Sequence, residues 1–326
     1  MTTLELPPFI SAPSKFVSEH GSRQLSRRAA SGELVRVRQG LYLPTEVWAA
    51  LKPWEQHRVR VQAVHELAVS PPVFARESAA EVMGLPVFGV PLLVQTLIPP
   101  GTPGGQSRNG VRRIMAVEGD PEPWAMFGLR VTRPVETARD LAAHLPLERA
   151  LPAMDKLLQG KILPGSPHGT NLTFGEEHMR ESLARLGSKA KQNRVRRVLD
   201  VADAGAQSAG ESRSRAVMIL NGFPRPMLQK PFFDDWGLVG YPDFDWEEFK
   251  VIGEFDGFEK YSAQRYLKGK TPSQVVVEEK KREDRLRALG YTVVRWVWDD
   301  LRDPRLLVAK LHKAGLPSGS GNRKRV

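Results

Sequence analysis

The chain has 326 residues, 41% of them hydrophobic, which allows two or three domains with cores of their own. Its 48 Lys and Arg against 37 Asp and Glu give a formal charge of +11, a sign that favours phosphate-bearing partners and says nothing of fold. There is no cysteine, which excludes disulfides and thiolate metal sites. No apolar run nears the roughly 20 residues of a membrane span, and MTTLELPPFISAPSKF lacks the basic start and apolar core of a signal peptide. The expectation is a cytoplasmic protein with no membrane partner.

The first informative stretch runs from Ser22 to Pro44, SRQLSRRAASGELVRVRQGLYLP. Ser22 suits an N-cap and Gly32 suits the glycine that ends a helix. Arg23, Arg27 and Arg28 lie around a narrow stripe of Leu25 and Ala29. After Gly32 the side chains alternate, Val35 and Val37 on one face, Arg36 and Arg38 on the other, and Gln39-Gly40 supplies a turn. A basic helix followed by a basic hairpin is the layout of a winged helix, with the helix in a DNA groove and the wing on phosphates.

Residues 51–160 read as a mixed α/β connector. Helices are expected over 54–69, 77–83, 135–143 and 147–158, with strands over 92–97, 111–117 and 129–132. Glu136, Arg139 and Asp140 share one helix at pairing distance, which predicts a solvated, ion-paired face. The segment 161–175 is rich in Pro, Gly, Ser and Asn and reads as a linker. A single helix is expected over 179–201, with Arg180, Arg185, Lys189, Lys191, Arg194, Arg196 and Arg197 forming a stripe suited to phosphates.

A helix from Glu211 to Leu220 follows, with Glu211 in its first turn. That position fits a carboxylate that answers the helix dipole as well as one with a catalytic role. Strands are expected over 229–234 and through GYPDFDWEEFKVIGEFDGFEKY, residues 240–261, which reads as two strands joined at Trp246–Phe249. Along the second, Ile252, Glu254 and Asp256 share a face. Two carboxylates on an otherwise apolar strand repel each other and lose solvation, costs that a hard divalent cation removes. Asp243 would come alongside as a third ligand, with Lys260 as a nearby cation. A plain solvent-facing strand ending in an Asp-Gly turn reads equally well. The helix over 273–289 carries Glu279, Arg282 and Glu283 near its apolar side, where charges need partners. The strand 291–298 is interrupted by Arg295 and should be central in its sheet. A last helix over 306–312 precedes a disordered basic tail.

From Glu211 the order helix, three strands, helix, strand, with Pro242-Asp243, EFDG at 254–257, Lys260-Tyr261, Glu279-Lys280, RED at 282–284 and LGYTVVRW at 289–296, resembles the PD-(D/E)XK nuclease superfamily. In particular it is similar to small domains related to very-short-patch repair endonucleases. SRRAASGELVRVRQGLYLP, some 30 residues with their surroundings, looks like the winged helix of AbiEi-type antitoxins. The resemblance implies a restriction-endonuclease-like αβββαβ core and a Mg²⁺- or Mn²⁺-dependent endonuclease acting on double-stranded DNA. It implies Asp243, Glu254 and Asp256 as metal ligands, Glu211 assisting, and Lys260 or Lys280 as the cation. The chain departs from the pattern where Asp256 stands in the place of the superfamily's lysine. That departure also suits a non-catalytic DNA-binding antitoxin or regulator. The expected organisation is an α/β (α+β multidomain) chain: a winged helix over 1–50, the connector over 51–160, linker and basic helix over 161–210, the nuclease-like domain over 211–313, and the tail over 314–326. Arg23, Arg27, Arg28, Arg36 and Arg38 are the expected DNA contacts.

Overall fold

A computed structural model describes residues 6–11, 19–89, 91–102, 109–160, 175–257 and 272–319. The chain is an α/β multidomain protein in which two units separate, 1–145 with 160–200 and 146–159 with 201–326. No helix among the described residues is long and apolar enough to cross a membrane.

The first unit opens with β1 (Ile10–Ser11), α1 (Glu19–Ala30), β2 (Leu34–Arg38) and β3 (Leu41–Pro44). The strands pair antiparallel in the order β1-β3-β2. Leu25 of the helix packs on Leu34 and Tyr42 of the sheet. The helix starts before Ser22, which therefore is not its N-cap; serine favours caps but is tolerated inside a helical turn. Gly32 does end it, at φ +80°.

Then come α2 (Thr45–Ala50), α3 (Pro53–Glu66), β4 (Val73–Phe74), α4 (Arg76–Met83), β5 (Val94–Ile98), β6 (Val111–Met115), β7 (Trp124–Met126), β8 (Leu129–Val131) and α5 (Pro134–His144). The five strands form a mixed sheet in the order β6-β5-β4-β8-β7. After α6 (Leu147–Leu158), which belongs to the second unit, α7 (Glu176–Ala184) and α8 (Lys189–Leu199) return to pack on α5.

Two expectations change here. The long basic helix is two helices, because Ser188 caps α8 by accepting the Lys191 N–H. Several of its cations are engaged within the unit: Arg185 bonds Glu136 at 3.0 Å and Arg194 donates to the Ala143 carbonyl at 3.2 Å, while Arg180 makes an exposed pair with Glu176. The predicted solvated face of α5 is also buried, with Arg139 fully enclosed. Pairing at i, i+3 is the same whether a face meets water or another helix, and here α7 covers it. The expected linker, 161–174, lies outside the described residues.

His57 on α3 is fully buried against the Ser78 hydroxyl, 3.0 Å away. Burial and the nearby Arg60 lower its pKa to about 4. The unfolded chain therefore takes this proton first, so the histidine's contribution to stability is lost as pH falls from 6.5 to 4. Glu81, pushed up to about 7 by burial, acts in the opposite sense, losing stability as pH rises from 4.5 to 7. The two overlap, so the difference between wild type and His57→Gln isolates the first. Urea titrations at about pH 7.5 and pH 4 should show wild type losing about 3 kcal/mol more than the variant. Parallel losses would remove the assignment.

The second unit contains α6, α9 (Ala209–Leu220), β9 (Met227–Leu228), β10 (Phe232–Asp234), β11 (Gly237–Gly240), β12 (Phe244–Trp246), β13 (Val251–Phe255), α10 (Pro272–Ala288) and β14 (Thr292–Trp296), closed by helices Trp298–Arg302 and Pro304–Lys313. A mixed four-stranded sheet runs β14-β13-β12-β9, with β13 and β14 parallel. Thus β14 is an edge strand, not a central one. The predicted strand 229–234 is broken at Gln229, whose φ is +52°, and β10 leaves the main sheet for a separate hairpin with β11. Phe244, Trp246, Phe255 and Trp296 form the core on one face of the sheet. Gly253 is required there, since a Cβ would stand 2.5 Å from the Trp296 ring.

The helix α6 joins this unit because Asp155, fully buried, accepts from Arg215 of α9 at 2.7 Å and from the Asp203 N–H at 2.8 Å. The boundary expected near residue 160 therefore falls at Pro146. The expected disordered tail begins too early as well. Leu316 is buried in the core and the Gly319 N–H bonds the Gly222 carbonyl at 3.1 Å. Residues 320–326 lie outside the described set.

Candidate active site

The turn of Glu247–Phe249, ending in Lys250 at φ +51°, folds β13 back along β12. Phe244 pairs with Gly253, so one step further the chain places Asp243 across from Glu254. Asp243 accepts the Phe255 N–H at 2.8 Å through one oxygen. Its other oxygen accepts from the Gln229 amide at 3.2 Å. The same amide nitrogen stands 3.4 Å from Glu211, so Gln229 bridges the two carboxylates.

Glu211 enters from the first turn of α9. Ser208 caps that helix, and the Glu211 carboxylate accepts the Gln207 N–H at 2.8 Å. It completes the helix start, and through Gln229 it is linked to Asp243. Gly210 permits the approach, because a Cβ there would lie 2.0 Å from the Phe255 ring. Gly210→Ala should therefore push α9 off the sheet and cost roughly 1–3 kcal/mol by overpacking. A chemical-denaturation midpoint matching wild type would show that the ring moves aside freely.

Glu254 is almost wholly buried. Arg282 of α10 donates to its Oε2 at 2.6 Å, with Arg295 of β14 3.8 Å from that oxygen. Its Oε1 is buried with no hydrogen-bond partner among the described residues. Burial raises the Glu254 pKa; Arg282 and Arg295 pull it back and the charge of Asp243 raises it further. Asp256, at the end of the strand, is held by Arg295 at 3.1 Å. The same guanidinium bonds Glu283 at 2.8 Å and lies 3.4 Å from Glu279.

The structure thus links Glu211 to Asp243 through Gln229, sets Glu254 across from Asp243 on the paired strand, and ties Asp256 to one side through Arg295. Among the described residues no group of three acidic or imidazole side chains is close enough to hold an ion by itself. Lys280 is exposed and makes no ion pair among the described residues, so the cations of the cluster are arginines instead. The spacing Glu279-Arg282-Glu283 turns that triplet inward and leaves Lys280 outside. Lys260 lies outside the described residues. The sequence signal for the arginines was present, as charges on an apolar helix face and within a strand. Gln229 gave none.

In the first unit Arg23, Arg27 and Arg36 are exposed. Arg28 is engaged by Glu33, and Arg38 donates to the Asn109 carbonyl at 2.6 Å.

No family model matches the chain. It is similar to two uncharacterized proteins from strains of Mycobacterium tuberculosis, Rv2248 and MT2308, each 31% identical over 185 residues, 56% of this chain. The chain spans 61% of the length of these curated relatives.

Proposed function

We propose that the second unit is a Mg²⁺- or Mn²⁺-dependent phosphodiesterase acting on nucleic acid, with double-stranded DNA its substrate and Asp243 and Glu254 its ion-binding pair. The observation that carries this reading is the Glu254 carboxylate, buried beside Asp243 with one oxygen that has no hydrogen-bond partner among the described residues. A buried carboxylate oxygen in that state is costly unless a positive group meets it. Hard cations take such oxygens, and Mg²⁺ is held by one or two carboxylates while keeping several waters. The donor set therefore fits without a third close carboxylate. When bound, the ion supplies charge neutralisation at a phosphate and a more acidic water.

The remaining chemistry falls to the chain. Arg282 and Arg295 bring fixed positive charge to the place where negative charge develops on a phosphate. Asp256, standing where the superfamily pattern has lysine, anchors Arg295 and acts as a positioning residue. Glu211 orients Asp243 through the Gln229 amide. Winged-helix contacts by the exposed Arg23, Arg27 and Arg36 would add affinity for DNA.

Supercoiled plasmid incubated with the protein should be nicked with Mg²⁺ or Mn²⁺ and left intact with chelator. No nicking under either ion counts against this reading and favours a second, a DNA-binding regulator with a silent site. That second reading rests on Arg282 already occupying one oxygen of Glu254. It expects sequence-selective gel shifts of the protein's own upstream DNA, weakened by Arg27→Ala and Arg36→Ala.

A further inference from the structure

The first unit holds two adjoining concavities of about 810 and 540 Å³ that share Arg38, Leu67 and Asn109. Arg113 of β6 and Arg130 of β8 line the larger, and Arg36 of the wing strand lines the smaller. Among the described residues none that lines either is acidic. Among the described residues Arg36, Arg113 and Arg130 form no ion pair, and Arg38 donates to a backbone carbonyl. Burial lowers the Arg38 pKa with no carboxylate to offset it. By contrast, Arg139 of this unit meets Asp120 and Asp140, and Arg185 meets Glu136. Four arginines around one trough thus have no carboxylate partner among the described residues, and the trough presents unopposed positive charge that suits an anionic ligand.

We propose that this trough binds a single nucleic-acid strand through its phosphodiester backbone, as a site additional to the carboxylate cluster of the second unit. Size argues for one strand, because concavities of about 810 and 540 Å³ take a backbone with a few bases and are too small to seat a duplex. Extent argues against a lone phosphate. In the sheet β6 and β8 are separated by β5 and β4, so the backbones at Arg113 and Arg130 stand roughly 14 Å apart, three strand spacings. The apolar lining is aliphatic: Val69 stands fully exposed at its rim, with Leu67, Pro71 and Pro99 beside it, and among the described residues no aromatic side chain lines it. Bases can lie against such a lining but find no stacking platform, so recognition is led by backbone charge and is indifferent to sequence.

The test is fluorescence anisotropy of the full chain with labelled oligothymidylate of about 12 nucleotides, in chelator so that cleavage plays no part. At about 50 mM salt, Arg113→Gln combined with Arg130→Gln should weaken binding at least tenfold, and the slope of log affinity on log salt should fall by about 1.4, roughly 0.7 for each phosphate no longer neutralised. Arg113→Lys with Arg130→Lys should keep the slope. Both arginines are exposed, so these variants fold as wild type does. Because the assay runs in chelator and reads binding alone, its outcome is independent of the phosphodiesterase reading whatever nicking shows. Unaltered affinity and slope in the glutamine variant would overturn the proposal, as would polyglutamate competing as well as oligothymidylate, or a duplex of equal length binding more tightly through the same two arginines.

Discussion

Arg139→Ala is expected to unfold the first unit, or to leave it barely folded at room temperature. The side chain is completely enclosed, and two of its nitrogens donate to Asp120 at 2.7 Å each. A third donates to Asp140 at 2.9 Å, and the Ser182 carbonyl lies 3.4 Å from the group. Burial disfavours the guanidinium's charge. The bond to Asp120 and the charge of Asp140 more than offset that, holding its pKa above the ordinary value. Deleting the cation leaves Asp140, itself nearly buried, without its partner, and Asp120 without its fork of donors. Breaking a buried pair from one side costs about 3–5 kcal/mol, a large part of the 5–15 kcal/mol that holds a typical domain folded. Urea titration followed by far-ultraviolet circular dichroism should show the first transition shifted or lost while the second unit's remains. Arg139→Met with Asp120→Leu and Asp140→Asn, which removes the charge from both sides, should recover much of the loss. A single variant within about 1 kcal/mol of wild type would mean that water reaches the pair and that the enclosure is not structural.

Asp243→Asn and Glu254→Gln are each expected to reduce ion-dependent plasmid nicking by about a thousandfold, about 4 kcal/mol of transition-state stabilisation. Each change keeps the shape of the side chain and removes the charge that would face the ion. Stability should move little. In Glu254→Gln, Arg282 keeps Glu279 at 3.2 Å, and Arg295 keeps Asp256 and Glu283. Arg282→Ala should behave differently, since it strips a buried carboxylate of its nearest cation and should lower both activity and melting temperature. If the two carboxylate variants nick DNA as fast as wild type, the cleaving agent is a contaminant or lies elsewhere, and the proposed pair is wrong.

The hairpin that carries this pair was legible because strand geometry is strict. With side chains alternating and a short turn at 246–249, Asp243 can only come down near Glu254. The inward triplet of α10 and the odd arginine of β14 were visible as charges on apolar faces, and the structure resolves them as one network around Glu254, Asp256, Glu279 and Glu283. What stayed hidden depends on partners far away in the chain. Asp155 and Arg215 are separated by 60 positions, and nothing local reveals that their bond carries α6 into the second unit. Glu136, Arg139 and Asp140 show the same spacing on a wet face as on a dry one, so only the packing of α7 distinguishes them. Gln229 reaches two carboxylates because its backbone turns left-handed, a conformation that its neighbours in sequence do not announce. The exchange of lysine for Asp256 pointed the sequence reading toward Lys260 and Lys280, whereas the charge at Glu254 comes from arginines on two other elements.

Isothermal titration of Mg²⁺ and Mn²⁺ into wild type and into Glu254→Gln tests the central claim most directly, because it needs neither substrate nor turnover. Saturable binding by wild type, weakened at least tenfold in the variant, is the expected result. Identical heats from the two proteins, or none from either, would contradict the assignment of Asp243 and Glu254 as an ion-binding pair.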